Sequence, residues 1–216
     1  MIAEPIIRVS LLEKLASINA FILCGGRSSR MNTDKALLQY NEKSLIDIII
    51  ESCAGLFKKV FIVGRKYQSP LLSGYFEDEI KDIGPLGGIY TALKRTDQEY
   101  NFFVGLDYPF IDKEIILYLS HLFMSKTSTY EGCIPIAPDG MHPLFAYYSR
   151  YCIGAIKKCV SEQNYMIRCI ARYTNIYFLN LIDELGEKKR KDIERCFVNI
   201  NRYEDYESTK HMAEKA

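Results

Sequence analysis

The chain has 216 residues, of which 48% are hydrophobic and 25% charged, and these values are typical of one globular domain with a sizeable core. The formal net charge of +1 excludes a bulk attraction to nucleic acid or to an anionic membrane, so neither is expected as a partner. The cysteines are scattered without a C-x-x-C pair, which favours buried thiols over disulfides or a zinc site. Charged residues interrupt the N-terminal apolar segment, and no apolar run is long enough to span a membrane. A cytoplasmic protein is expected.

Short apolar runs typical of buried strands recur along the chain, and amphipathic helical patterns separate them. The predicted strands cover residues 18–24, 59–63, 100–106, 133–137, 143–148, 175–179 and 196–200. The predicted helices cover residues 44–58, 86–95, 113–125, 149–161 and 203–213. This alternation indicates an α/β fold, a single three-layer α/β/α domain over residues 18–216 with a mostly parallel sheet. Residues 1–17 form an N-terminal extension to which no role is assigned.

The run FILCGGRSSRMNTDKALL at residues 21–38 ends the first predicted strand in two glycines and continues with basic residues. Gly25 and Gly26 allow a tight turn that exposes backbone N–H groups to phosphate oxygens, and Arg30 and Lys35 supply positive charge. The spacing matches neither a Walker A loop nor G-x-G-x-x-G. On residue types alone, a plain glycine turn with surface basic residues is the simpler interpretation.

A second glycine-rich segment, DIGPLGGIYTALK, covers residues 82–94. Pro85 suits the first turn of a helix, and Gly84, Gly87 and Gly88 permit close approach of a ligand to a helix N-terminus, where anions bind favourably. The alternative is an ordinary turn from a strand into a helix.

Asp107 directly follows the predicted strand at 100–106. Asp112 is better placed to cap the next helix, so Asp107 has no evident structural role. A carboxylate at this position suits Mg²⁺, which takes one or two carboxylates together with phosphate oxygens and water. The alternative is an ordinary turn residue.

Three further polar residues lie late in the chain. His142, before a proline, is interpreted as a packing or positioning residue rather than an acid–base group. Asn199 and Asn201 lie two apart in the predicted strand 196–200 and its continuation, so both side chains should point to one side. They would contact a ligand or a metal-bound water there, or they would close a loop.

Taken together, these stretches resemble the nucleotidyltransferases that transfer NMP groups, and specifically the molybdenum cofactor guanylyltransferases. The family motifs occur in order, over about residues 18–211, as LCGGRSSRMNTDK at 23–35, GPLGG at 84–88, DYPF at 107–110, HPLF at 142–145 and NIN at 199–201. The chain departs from the family pattern at three points. Asn32 replaces a glycine, which asparagine tolerates because it adopts positive φ; Cys24 replaces an alanine; and Arg65 lies in a segment where an asparagine is expected.

The resemblance implies a Rossmann-like sheet of the nucleotide-diphospho-sugar transferase type and the transfer of GMP from GTP to the terminal phosphate of molybdopterin, with release of pyrophosphate. It implies Mg²⁺ on Asp107, and stabilisation of the developing charge by Arg30 and Lys35. It implies nucleotide contacts from Leu23, Cys24, Gly25, Gly26, Lys35, Asp78, Gly84, Pro85, Leu86 and Gly87, and places Asn199 and Asn201 nearer the metal or the pterin.

The resemblance makes GTP and the molybdenum cofactor the expected partners, along with proteins that deliver the cofactor and molybdoenzymes that receive the product. A cytidylyltransferase for the same cofactor is the nearest alternative, and the Gly25-Gly26 pair argues against it. A non-catalytic nucleotide-binding protein is disfavoured because Arg30, Lys35 and Asp107 are all retained. A sugar-phosphate nucleotidyltransferase fits the later motifs less well.

Overall fold

The computed structural model describes residues 5–25, 34–186 and 190–213, so Gly26, Arg30 and Asn32 lie outside the described residues. The strands are β1 (Asn19–Leu23), β2 (Gln39–Tyr40), β3 (Lys43–Ser44), β4 (Lys59–Val63), β5 (Gly74–Phe76), β6 (Tyr100–Gly105), β7 (Gly132–Ala137), β8 (Gly140–Met141), β9 (Phe145–Ser149) and β10 (Ile176–Asn180). The α-helices are α1 (Pro5–Leu15), α2 (Leu45–Cys53), α3 (Pro85–Arg95), α4 (Lys113–Met124), α5 (Cys152–Ser161), α6 (Leu181–Leu185), α7 (Arg190–Cys196) and α8 (Tyr203–Ala213). Short 3-10 helices cover Lys35–Leu37 and Ile167–Arg172.

The main sheet has the strand order β10-β7-β9-β6-β1-β4-β5, with β8 paired to β7. Strands β10, β7, β6, β1, β4 and β5 all run in the same direction, and β9 runs antiparallel to its neighbours β6 and β7. The prediction of a mostly parallel sheet is therefore confirmed. Because β1 lies between β4 and β6, the carboxyl ends of these three strands meet at one edge.

Helices cover both faces of the sheet, as the three-layer prediction requires. Successive side chains of β1 point to opposite faces: Ala20 and Ile22 pack with α2 and α4, whereas Phe21 and Leu23 pack with α3 and α5. Leu15 of α1 is also buried, in the core that Ala20 and Ile22 form with α2 and α4, although α1 precedes the region of family resemblance. No helix in the described ranges is both long and apolar enough to cross a membrane.

The predicted strand at 196–200 is wrong. Helix α7 ends at Cys196, and residues 197–202 have no regular structure. Phe197 and Ile200 are apolar because they pack into the core, and the Ile200 N–H donates to the carbonyl oxygen of Asp107 at 3.0 Å. The inference that Asn199 and Asn201 share one side of a strand is therefore also wrong.

Candidate active site

The candidate site lies at the carboxyl ends of β1, β4 and β6. Leu23 pairs in register with Val63 on one side and Gly105 on the other. The Cys24 N–H extends the β1–β4 pairing by one residue, donating to the Val63 carbonyl oxygen at 2.8 Å before the chain turns. In parallel α/β sheets, ligands bind beyond this edge of the strands.

Two glycines at this edge come into direct backbone contact. A Cβ atom on Gly64 would lie 2.6 Å from both Cα and N of Gly25, and Gly64 has φ of +100°. Any larger residue at position 64 would therefore push the turns after β1 and β4 apart. The resemblance led us to expect an asparagine in this segment, and the importance of Gly64 was missed. Its position directly after the apolar run 59–63 is the signal that could have identified it.

The carboxyl group of Asp78 lies against this pair of glycines. A Cβ atom on Gly25 would lie 2.9 Å from Asp78 Oδ2, and Oδ1 is buried without a hydrogen-bond partner among the described residues. Burial raises the pKa of the Asp78 carboxyl. Asp78 also lines a cavity of about 560 Å³ together with Gly64, Arg65, Lys66, Glu77, Lys81, Asp82 and Gly84. A buried acceptor without a partner beside a cavity is suited to receive a hydrogen bond from a ligand.

We expect Asp78→Asn to leave the thermal midpoint at about pH 7 unchanged or higher, because the ionised carboxylate is partly desolvated in the folded state. Because folding raises the pKa of Asp78, the wild-type protein loses stability as pH rises from the unfolded-state pKa through the folded-state pKa of this carboxyl. The benefit of the substitution should therefore shrink towards acid pH. Thermal unfolding of the wild type and the variant, from acid pH to about pH 7, measures the change in the thermal midpoint. A clear loss of stability at neutral pH would show instead that the carboxylate has a favourable partner.

The second glycine-rich segment forms the N-terminus of α3. Gly84 is the N-cap residue, with φ of 62° and no side-chain cap, and Pro85 occupies the first turn as predicted. Gly87 has a packing role, because a Cβ atom there would lie 2.5 Å from the carbonyl oxygen of Ile80. Leu86 is fully buried in the core that contains Phe21 and Leu23, so its side chain is not available to a ligand.

Lys35 and Asp107, predicted to be catalytic from distant segments, come together. Lys35 begins a 3-10 helix, and its ammonium donates a hydrogen bond to Oδ1 of Asp107, which follows β6. The two side chains are only 14% and 18% exposed, so the ion pair is largely shielded from solvent. Asp112 caps α4 by accepting a hydrogen bond from the Ile115 N–H at 2.8 Å, which confirms its predicted role and leaves Asp107 outside helix capping.

The two late asparagines occupy different environments. Asn199 precedes Ile200, whose N–H contacts the backbone of Asp107, and its side-chain Oδ1 is buried without a partner among the described residues. Asn201 is exposed, and its backbone N–H donates to Asp205 Oδ2 near the start of α8 at 2.8 Å. The two side chains therefore differ: Asn199 has a buried amide oxygen, whereas Asn201 is exposed, and the backbone between them bonds to the backbone of Asp107.

The described residues contain no group of three or more His, Cys, Asp or Glu side chains that could hold a metal ion. A metal at this edge would therefore take at most two ligands from these side chains, of which the Asp107 carboxylate is one candidate, and the others from a bound ligand and water. This donor set fits Mg²⁺, which binds proteins through few carboxylates and takes the rest of its ligands from phosphates and water.

Two reactive residue types near the site have structural roles. Burial raises the pKa of the Cys24 thiol to about 12, which favours the protonated thiol over the nucleophilic thiolate at neutral pH. His142 is buried, with its ring 4.5 Å from that of Phe197, and it contacts the Tyr108 hydroxyl at 3.3 Å and Asp139 Oδ1 at 2.9 Å. These contacts support the interpretation of His142 as a packing residue.

Comparisons with known proteins find relatives that match most of the chain. Residues 20–176 match the family described as the MobA-like NTP transferase domain. The molybdenum cofactor guanylyltransferase of Syntrophotalea carbinolica is 31% identical over 193 residues, which cover 88% of this chain and 89% of that protein.

Solved structures of low sequence identity to this chain have the same fold. Molybdopterin-guanine dinucleotide biosynthesis protein A of Archaeoglobus fulgidus superposes with a TM-score of 0.73 at 22% identity, covering 92% of this chain and all of the other (100%). The 2-C-methyl-D-erythritol 4-phosphate cytidylyltransferase of Thermus thermophilus gives 0.60 at 11% identity, covering 90% and 98%. These likenesses confirm the predicted nucleotidyltransferase type of fold. From its sequence match and its architecture, the chain belongs to the MobA-like NTP transferase family.

Proposed function

We propose that this protein transfers GMP from GTP to the terminal phosphate of molybdopterin and so forms the guanine dinucleotide cofactor. The relative from Syntrophotalea carbinolica supports the choice of substrates. The observation that carries the proposal is the shielded Lys35–Asp107 pair, at the same strand edge as the Gly25–Gly64 contact. It supports the proposal because a cation and a carboxylate suited to a metal lie near a turn suited to phosphates.

The reaction is an in-line displacement at the α-phosphorus of GTP. An oxygen of the acceptor phosphate forms the new P–O bond, the bond to the bridging oxygen of the β-phosphate breaks, and pyrophosphate leaves with that electron pair. This chemistry needs positioning and charge stabilisation rather than a protein nucleophile.

Specific residues of the chain are suited to these tasks. The Cys24 N–H already donates to the Val63 carbonyl oxygen, so the N–H groups of Gly25 and Gly26 are the ones we assign to the phosphates. Lys35 and Arg30 would stabilise charge on the phosphates and on the leaving pyrophosphate. We assign Mg²⁺ to Asp107, where it would neutralise the phosphate oxygens as a Lewis acid.

Asp78 and Asn199 are the remaining polar groups that we assign to substrates. Oδ1 of Asp78, which has no hydrogen-bond partner among the described residues, can accept hydrogen bonds, and this favours a base with several N–H donors, as guanine has, in the adjoining cavity. Asn199 would lie nearer the metal or the pterin, and Gly84 and Pro85 would border the nucleotide through their backbone atoms. Proteins that deliver the cofactor and molybdoenzymes that receive the product complete the proposed partners.

Nucleotide selectivity tests the proposal. We expect GTP, and not CTP or ATP, to raise the thermal midpoint in the presence of Mg²⁺, and purified molybdopterin to elicit release of pyrophosphate. A preference for CTP would reassign the enzyme as a cytidylyltransferase. Nucleotide binding without turnover would favour a non-catalytic binding protein.

A further inference from the structure

Arg65 makes an ion pair that links two separate segments at the strand ends. It follows Gly64 at the end of β4, and its Nη1 atom lies 2.8 Å from Oδ1 and 2.7 Å from Oδ2 of Asp34. The two side chains are 34% and 40% exposed, so the ion pair contributes little stability by itself. The ion pair matters because Asp34 also makes hydrogen bonds to the residues that follow it in the chain.

Asp34 also sets the start of the 3-10 helix that carries Lys35. Its Oδ1 atom accepts a hydrogen bond from the Ala36 N–H at 3.1 Å, and its carbonyl oxygen accepts one from the Leu37 N–H at 3.0 Å. Lys35 is therefore held between its neighbour Asp34 and the buried side chain of Ala36. The direction in which the Lys35 side chain leaves the backbone depends on this capped turn.

The four charged groups alternate in sign across the strand ends. Arg65 follows β4, Asp34 and Lys35 lie on the segment that returns after β1, and Asp107 follows β6. A shift of the Asp34 carboxylate would loosen the cap of the turn and displace the Lys35 ammonium from Asp107.

We infer that Arg65 and Asp34 are positioning residues for Lys35, an inference that rests on the proposed function for its catalytic consequence. The Arg65 guanidinium holds the Asp34 carboxylate, the carboxylate holds the capped turn, and the turn presents the Lys35 ammonium to Asp107 and to the phosphates of a bound nucleotide. Arg65 also lines the cavity beside Asp78, but the positioning role does not require it to touch the nucleotide.

The structural part is tested without any substrate by acylating the lysines of the full-length protein with an amine-reactive ester and measuring labelling of each lysine by mass spectrometry. In Arg65→Gln and in Asp34→Ala, we expect labelling of Lys35 to rise by about three-fold or more, as for a local opening, with Lys94 labelling unchanged. Arg65→Lys should restore part of the protection.

Arg95→Gln, which removes the exposed ion pair with Glu79, is the matched control and should leave Lys35 labelling unchanged. Unchanged Lys35 labelling in both Arg65→Gln and Asp34→Ala would overturn the inference, whatever the protein catalyses.

The catalytic part is tested by a double-mutant cycle. We expect Arg65→Gln to lower kcat by about 10- to 100-fold with little change in KM for GTP, and to have no further effect in a Lys35→Met background. A rise in KM that persists in the Lys35→Met background would show that Arg65 binds the nucleotide directly, and would overturn the positioning role. An inactive wild-type protein would contradict the proposed function, but the labelling result would still decide whether Arg65 positions Lys35.

Discussion

Replacing Asp107 with asparagine is expected to lower the rate of pyrophosphate release by about two to four orders of magnitude, because a catalytic metal ion contributes several kcal/mol of charge stabilisation. An amide keeps the shape of the side chain but removes the charge that would attract Mg²⁺. It also leaves the largely buried Lys35 ammonium without its counter-ion, so a modest fall in the thermal midpoint is expected. Steady-state release of pyrophosphate, measured over a range of Mg²⁺ concentrations, provides the test.

Asp112 offers a matched control for this substitution. It lies five residues further along the chain and caps α4 through its side chain, and asparagine serves equally well as a helix cap. Asp112→Asn should therefore retain both the thermal midpoint and the rate of the wild type. If Asp107→Asn kept a rate within a few-fold of the wild type with an unchanged requirement for Mg²⁺, the metal would have to bind elsewhere.

The sequence predicted the parts of the fold that rest on local patterns. β4 begins and ends at the predicted residues, and β1 and β6 do so to within one residue, because strands buried on both faces are continuous apolar runs. The same signal failed at 196–200, where Phe197 and Ile200 are apolar because they pack against the core and not because they pair in a sheet. The reversed direction of β9 was not predicted, since an apolar run does not encode its orientation.

In the candidate site, too, local patterns predicted some features, whereas contacts between distant segments were not predicted. Asp107 was identified because Asp112 accounted for the helix cap, which is a local argument that the structure supports. The contact of Lys35 with Asp107, and that of Gly64 with Gly25, depend on β1 lying between β4 and β6. Strand order is a property of the whole chain, so spacing along the sequence does not reveal these contacts.

Substituting Lys35 with glutamine should change metal binding and catalysis in opposite directions. The Lys35 ammonium donates to Oδ1 of Asp107, and a metal ion cannot use that oxygen while the ammonium holds it. We therefore expect Lys35→Gln to bind Mn²⁺ without nucleotide roughly 10-fold more tightly than the wild type, which is the size of effect that one adjacent charge has on a carboxylate. Electron paramagnetic resonance of free Mn²⁺ measures this directly.

The same substitution should lower kcat by about 100- to 1,000-fold, because a charge-stabilising donor is lost from the transition state. Lys94→Gln, which removes an exposed lysine paired with Glu79, is the control and should change neither quantity. Unchanged Mn²⁺ affinity in Lys35→Gln would mean that the ammonium does not compete for Asp107. If both effects occur, Lys35 makes metal binding depend on the nucleotide. The triphosphate would bring the metal and would also give the Lys35 ammonium a second anionic partner. The Asp107 carboxylate would then become available to the metal only when the nucleotide is bound.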